Sequence, residues 1–231
     1  MFMIFVGIDL AWKCVDPRPS STAVCVIDED LSVGLYAVTD DDEVLSLVPK
    51  GNDCLIGIDA SLKVPNDTGM RSTEKSVRRM GINILPTSKS YLNQKFAGSR
   101  GERIVDALGD KGFRLAMPED SNGRLLYEVF PYATVRCMIG SSPRYKHGKL
   151  AEKRQGCLGI LWTIQIQHPE LQIPGMLGDQ IMQADSSGLR SVSDKLDSLL
   201  GAISVYRHAI YRGQTTHMIG DEENGFILLC R

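Results

Sequence analysis

The stretch FVGIDLAW at residues 5–12 is nearly repeated by LIGIDASL at residues 55–62. Each stretch begins with an apolar run rich in Val, Ile and Leu, which is typical of a strand buried on both faces of a sheet. Each run ends on an aspartate, Asp9 in the first and Asp59 in the second. If the two strands are parallel neighbours, both carboxylates lie at the carboxyl edge of the sheet, where open α/β sheets have their sites.

The matched aspartates predict a metal site. Two neighbouring carboxylates repel each other unless a cation lies between them, and hard oxygen ligands suit one or two Mg²⁺ or Mn²⁺ ions. Asp9 and Asp59 are therefore candidate metal ligands. The alternative is that each aspartate only ends its strand as a turn residue or caps a helix.

Length and composition indicate one domain. A chain of 231 residues with 43% hydrophobic residues can bury a full core. We expect a single α/β domain over residues 1–231, with an insertion over residues 60–112 after the fourth strand.

The opening residues predict a first strand rather than a signal peptide, and no apolar run approaches the roughly 20 residues that span a membrane. The lack of a spanning run predicts no membrane partner. The six cysteines form no CxxC pair and several lie inside apolar runs, which predicts reduced core thiols in a cytoplasmic protein.

The charges of the chain are unevenly distributed, although its net charge is only −2. Residues 60–104 hold nine basic and three acidic side chains, whereas residues 28–59 hold nine acidic side chains and one lysine. A basic insertion beside an acidic edge suits a polyanion, such as a nucleic acid, that is held by its phosphates near metal ions. The alternative is an ordinary solvated surface.

Hydrophobic periodicity and turn residues predict the order of the elements. The predicted strands cover residues 4–10, 22–27, 32–38, 54–59, 125–130 and 225–229, with a Pro-rich turn at residues 16–19. The predicted helices cover residues 40–47, 72–80, 102–111, 133–138, 149–167 and 192–212, and a Pro/Gly-rich passage covers residues 168–178. This order is that of the RNase H-like fold, a mixed sheet flanked by helices. In that fold, three antiparallel strands are followed by a helix, two strands parallel to the first and a final helix.

The final helix supplies the next candidate ligands. In the RNase H-like fold the first and fourth strands lie side by side, and the final helix crosses the sheet near their ends. Here that helix carries Asp194 and Asp197, whose spacing of three puts both carboxylates on one face. Asp197 is the better third metal ligand, because Asp194 lies near the helix start and could act only on the helix dipole.

Seven ordered motifs resemble a family of predicted nucleases with an RNase H-like fold, long catalogued as a domain of unknown function. The motifs span nearly the whole chain: GIDLAW, IGIDASLKVPN, RSTEKSVRRMG, YEVFPYAT, YKHGKLAEKR, SDKLDSLLGAISVYRHAIYRG and GFILL. The chain departs from the family at Ser61-Leu62, where many relatives have Pro, and at Ser198, where relatives have Ala. The resemblance implies an acidic site like that of Holliday-junction resolvases. It implies catalytic positions at Asp9, Asp59, Glu128, Asp194 and Asp197, and substrate-binding positions at Arg71, Glu74, Arg78, Lys146 and Arg154.

Some of these positions can also be interpreted from the sequence alone. Helical spacing puts Arg71, Glu74 and Arg78 on one face, which would clamp a phosphate or form a surface ion-pair ladder. Glu128 lies within an apolar strand, where an ionised carboxylate is costly unless it is paired or bound to a metal. Alternatively, Glu128 turns to solvent on an edge strand.

Three further side chains leave two interpretations each. Lys146 and Arg154 flank a Gly-containing turn and a helix start, where they would neutralise a leaving phosphate or remain solvated cations. Trp12, just past the first aspartate, would stack a nucleobase or pack at the sheet edge.

These observations favour a metal-dependent phosphodiesterase, a nuclease that hydrolyses nucleic acid with carboxylates that hold Mg²⁺ or Mn²⁺. A second hypothesis is a non-catalytic nucleic-acid or ligand-binding protein that keeps the fold. A third is a kinase of the actin-like superfamily. The kinase requires two duplicated domains and Gly-rich phosphate loops, which 231 residues without such a loop disfavour.

Overall fold

The computed structural model describes residues 3–12, 22–51 and 53–231, so the predicted turn at residues 16–19 lies outside the described part. The strands in this part are β1 (Met3–Asp9), β2 (Thr22–Ile27), β3 (Val33–Val38), β4 (Asp53–Asp59), β5 (Arg114–Leu115), β6 (Arg124–Val129), β7 (Thr216–Asp221) and β8 (Gly225–Cys230). The predicted fifth and sixth strands correspond to β6 and β8. The sequence did not predict β5, which is too short to show a period, or β7, whose last two residues, Gly220 and Asp221, are exposed.

The strands form one mixed sheet in the order β3-β2-β1-β4-β6-β8-β7, with β5 paired to β6. Strand β2 lies antiparallel to both β1 and β3. Strand β4 lies parallel to β1, and β6 lies parallel to β4. This α/β arrangement, flanked by helices, has the RNase H-like topology that the element order predicts, so the predicted fold class is confirmed.

The helices in the described part are α1 (Asp41–Leu47), α2 (Ser72–Arg79), α3 (Lys89–Phe96), α4 (Arg100–Gly109), α5 (Pro131–Ile139), α6 (Leu150–Gln167), α7 (Met176–Gln183) and α8 (Ser186–Ile210). The sequence did not predict α3 or α7. Helix α8 begins at Ser186 rather than at residue 192, because Asp185 caps it by accepting the backbone N–H groups of Ser187 and Gly188. None of these helices is long and apolar enough to cross a bilayer.

The central strands bury side chains on both faces of the sheet, as their continuous apolar runs predict. On one face Phe5 belongs to the same core cluster as Leu196 of α8. On the other face Val6 and Ile56 share a cluster with Ile104 of α4. The helices therefore cover the sheet from both sides and leave the strand ends as the open edge.

Two glycines of the repeated motif set how closely α8 approaches the sheet. A Cβ atom on Gly7 would lie 1.8 Å from the carbonyl oxygen of Ser198, and one on Gly57 would lie 2.5 Å from that of Gly201. Both positions therefore require the absence of a side chain. Helix α8 rests directly on the backbones of β1 and β4, and this contact carries Asp197 to the carboxyl edge.

Candidate active site

The two aspartates of the repeated motif lie side by side at the carboxyl edge of the sheet. Asp9 ends β1 and Asp59 ends β4, and the two residues are direct partners in the parallel register. Neighbouring strands lie about 4.8 Å apart, so the two carboxyl groups share one small volume. The register thus pairs the motif with its repeat, residue for residue.

Helix α8 brings two more carboxylates to this edge. Asp197 is only 2% exposed, and its Oδ1 accepts a hydrogen bond of 2.9 Å from the hydroxyl of Tyr145. Asp194 lies nearly one turn earlier on the helix and is partly exposed. The described part of the chain therefore gathers four aspartates, from two strands and one helix, in one place.

The ammonium group of Lys146 lies among these carboxylates. Its Nζ contacts Oδ2 of Asp197 directly and lies 3.8 Å from Oδ2 of Asp9 and 3.9 Å from Oδ1 of Asp194. Lys146 lies between α5 and α6, in a segment that packs closely on α6 at Gly156. The sequence suggested a contact between Lys146 and a phosphate, whereas its partners in the structure are the carboxylates.

Burial and mutual repulsion shift the protonation of the cluster. Burial raises the pKa of Asp9 well above its ordinary value, Asp197 and Asp59 raise it further, and Lys146 opposes them. Burial, reinforced by Asp197 and opposed by Lys146, raises the pKa of Asp59 to about 7. Burial also raises the pKa of Asp197, against Lys146 and the hydrogen bond from Tyr145. One ammonium group therefore does not neutralise the cluster, which favours a further cation.

Without metal, the contribution of Asp59 to the free energy of unfolding is expected to fall as the pH rises from about 4 to about 8. In the unfolded chain Asp59 has an ordinary pKa of 3.8 and loses its proton near that pH. In the folded protein its pKa is about 7, so Asp59 retains the proton up to about that pH. The stability contribution of this group is therefore complete below about pH 4 and is lost as the pH rises through about 7. Asp59→Asn, which cannot ionise, should raise the free energy of unfolding at about pH 8 by up to about 4 kcal/mol and change it little at about pH 4. Urea titrations in EDTA measure both values, and an equal effect at the two pH values would contradict this expectation.

A second buried network lies beside the carboxylate cluster. Arg71 is only 1% exposed, and it pairs with Glu74 through Nε at 2.8 Å and with Glu128 through both terminal nitrogens. Glu128 also accepts the backbone N–H of Leu62 at 3.0 Å, and Glu74 accepts that of Thr87 at 3.1 Å. The network thus ties β6 and α2 to the loop that follows β4.

Both networks line one cavity of about 500 Å³. Arg71 pairs with two glutamates, Glu74 and Glu128, and these contacts position the wall of the cavity next to Asp59. Charge reversal at Arg71 would leave buried glutamates unpaired, so it would destabilise the fold as well as change substrate binding. The substrate-binding and catalytic roles of Arg71, Glu74 and Glu128 stay predictions.

Neither Arg78 nor Arg154 is among the described residues that line this cavity. Arg78 is exposed on α2, and Arg71 is the N-cap residue of that helix, so the two do not share a helical face. Arg154 donates to the carbonyl oxygens of Ile181 and Ala184 at 3.2 and 2.8 Å. It thus satisfies carbonyl groups at the end of α7. The geometry gives no support to a substrate contact for either arginine.

Sequence reasoning missed two polar residues at the site, Tyr145 and Arg190. Arg190 lines the cavity on α8, one turn before Asp194. A final helix that begins at Ser186 would have indicated this, because residues four apart share a helical face. Tyr145 offers no comparable signal, since its contact with Asp197 joins segments far apart in the sequence.

A basic pocket of about 350 Å³ adjoins the cavity on the side of Lys146. Its lining includes His147 and Lys153, and it shares Lys146, Arg190 and Asp194 with the cavity. The acidic cluster therefore borders directly on a group of cationic side chains.

The donor chemistry of the cluster fits Mg²⁺ or Mn²⁺, because the candidate ligands all offer hard carboxylate oxygens. The contact with Lys146 shows that this position already binds positive charge. In the present arrangement the ammonium group joins these side chains: among the described residues, no three Asp, Glu, His or Cys side chains surround a common ion position.

No family model, curated protein or solved structure matches the chain. The resemblance of its motifs to the family of predicted nucleases therefore stays a prediction.

Proposed function

We propose that this protein is a metal-dependent phosphodiesterase that hydrolyses nucleic acid. The observation that carries the proposal is the meeting of Asp9 and Asp197, beside Asp59, at a single cationic group on the carboxyl edge of the sheet. Asp9, Asp59 and Asp197 would hold one or two Mg²⁺ or Mn²⁺ ions. Bound there, the ions would supply an activated water molecule and stabilisation of the leaving oxygen.

Two residues of the segment before α6 would prepare the carboxylates for this task. The hydroxyl of Tyr145 orients Asp197 through its hydrogen bond. Lys146 balances negative charge in the metal-free protein. Its flexible stem lets the ammonium group turn to a phosphate oxygen when the carboxylates are neutralised in another way. Lys146 would thus contact the carboxylates in the metal-free protein and a substrate phosphate once metal ions are bound.

The basic pocket supports a polymeric substrate. An ester with one phosphate would need only the acidic cavity, whereas a nucleic acid brings further phosphates on either side. Lys153 and Arg190 line this pocket, and under this proposal they would bind an adjoining phosphate. The basic residues of the insertion would add to this attraction.

The ordered motifs agree with this proposal, since the family that they resemble consists of predicted nucleases. We further propose a cytoplasmic location, supported by six cysteines without a CxxC pair. The actin-like kinase has no support from the site.

The proposal predicts hydrolysis of phosphodiesters in Mg²⁺ or Mn²⁺, loss of activity in EDTA and weak activity in Ca²⁺, which prefers more ligands in a looser geometry. End-labelled single-stranded, duplex and branched DNA, RNA and an RNA–DNA hybrid form the assay panel. Calorimetric titration with Mn²⁺ measures metal binding on the same preparation. If a metal-loaded protein cleaves none of these substrates, the non-catalytic binding protein becomes the better hypothesis.

A further inference from the structure

Three aromatic side chains form a cluster at the rim of the cavity, here called the aromatic shelf: Trp12, Tyr91 and Phe96. The ring centroid of Trp12 lies 4.9 Å from that of Phe96 and 6.4 Å from that of Tyr91, and the latter two lie 5.9 Å apart. Tyr91 and Phe96 belong to α3 of the insertion. Trp12 and Phe96 line the same cavity as Asp9 and Asp59.

The shelf keeps much of its apolar surface in solvent. Trp12 is 40% exposed and Tyr91 is 39% exposed. Leu85, which lines the same cavity, is 66% exposed. Besides packing against each other, these side chains leave apolar surface in solvent that a ligand could remove from water. The exposed rings suit a flat ligand that enters beside the carboxylates.

The charge around the shelf favours a ligand that carries phosphate. Helix α3 contains Lys89 and Lys95 and no acidic residue. The surrounding residues 60–104 hold nine basic and three acidic side chains, and of the basic ones Arg71 and Arg100 are buried and paired with acidic side chains. A neutral sugar or an apolar peptide would gain nothing from this charge, whereas a nucleotide offers both a flat ring and an anion.

We propose that the aromatic shelf binds an unpaired nucleobase of the substrate, so that the enzyme acts on single-stranded or branched nucleic acid rather than on uninterrupted duplex. Bases inside a duplex stack on each other and cannot present a face to Trp12. This inference rests on the proposed nuclease function and names its substrate class. A base stacked on the shelf would direct the adjoining phosphodiester toward Asp9 and Asp59.

Tryptophan fluorescence in a Trp162→Phe background tests the shelf directly, because the chain has two tryptophans and Trp12 then remains alone. Trp162 is 73% exposed on α6 and is not among the described residues that line the cavity, so this background should fold normally. Added in EDTA to prevent cleavage, an oligodeoxythymidylate should quench Trp12 fluorescence. An abasic oligonucleotide with the same number of phosphates and a blunt duplex should not.

Affinities of the same fluorescein-labelled oligonucleotides, measured by anisotropy, provide the second readout. Trp12→Ala should weaken binding of oligodeoxythymidylate by about tenfold and leave binding of the abasic oligonucleotide unchanged. Trp12→Phe should restore most of the affinity, and Trp162→Ala, the matched control, should change neither value. Circular dichroism establishes that each variant is folded.

Equal quenching by the duplex or by the abasic oligonucleotide would overturn the inference, as would unchanged affinity in a folded Trp12→Ala variant. These outcomes are independent of cleavage. If the protein cleaves nucleic acid but Trp12 fluorescence does not change with oligodeoxythymidylate, only the inference about the aromatic shelf is rejected. Base-dependent quenching in a protein that cleaves nothing rejects the nuclease proposal alone.

Discussion

Asp9→Asn is expected to lower metal-dependent cleavage by at least about a thousandfold. The amide keeps the shape of the side chain but removes a charge that would hold the metal ion. A bound metal ion supplies several kcal/mol of charge stabilisation in the transition state, which corresponds to a factor of about this size. Single-turnover cleavage of an end-labelled oligonucleotide in Mn²⁺ measures the effect, and calorimetry measures the accompanying loss of metal affinity.

The same substitution should leave the metal-free protein as stable as the wild type or more stable. Burial, Asp197 and Asp59 all raise the pKa of Asp9, so its ionised form is disfavoured in the folded protein. Removal of that charge relieves repulsion. A melting temperature in EDTA at or above that of the wild type would separate lost metal binding from lost structure. An Asp9→Asn variant as active as the wild type would refute the metal-nuclease proposal.

Two other aspartates serve as comparisons. Asp194→Asn should reduce cleavage by less than about tenfold, since this partly exposed residue lies 3.9 Å from Lys146 and is not a proposed ligand. Because α8 begins at Ser186, Asp194 lies about two turns inside the helix, and the predicted alternative of a first-turn dipole partner is wrong. Asp197→Asn should abolish cleavage as Asp9→Asn does. It should also destabilise the fold by about 1 kcal/mol, because the amide loses the charged contact between Oδ2 of Asp197 and Lys146, while its remaining oxygen can still accept from Tyr145.

The fold and the carboxylate edge follow from local sequence patterns. Strands that are buried on both faces have continuous apolar sequences, which can be recognised in a single chain. The repeated Gly-Ile-Asp indicates the register in which Asp9 lies beside Asp59. The periodic apolar stripe of the last helix identifies the element that carries Asp194 and Asp197. These features are local, so a single sequence contains them.

The partners of the charged side chains follow from tertiary contacts and were not predictable in the same way. Arg71 meets Glu128, which is 57 positions away in the sequence, only because the network ties α2 to β6. Lys146 reaches Asp9 and Asp197 only because its segment packs on α6. No periodicity specifies such pairs. The sequence therefore indicates which charged side chains need a partner, whereas only the structure shows which partner each of them contacts.

Gly7→Ala is expected to destabilise the protein by about 4 kcal/mol or more, above the usual range for overpacking. The new Cβ would lie 1.8 Å from the carbonyl oxygen of Ser198 and 2.4 Å from the backbone nitrogen of Ala202. These are backbone atoms that cannot rotate away, so α8 would have to lift from β1. Urea denaturation measures the change in the free energy of unfolding.

Gly159→Ala on α6 is the matched control, because a Cβ there meets no atom within 4 Å. It should be neutral or stabilise the protein by up to about 1 kcal/mol, since Ala favours the helix more than Gly does. If Gly7→Ala lowers the free energy of unfolding while Gly159→Ala does not, the effect at Gly7 comes from the close approach of α8 to the sheet. If Gly7→Ala were as stable as the wild type, α8 could not lie on the backbone of β1. Asp197 would then have no fixed position beside Asp9, and the four-carboxylate site would lose its structural basis.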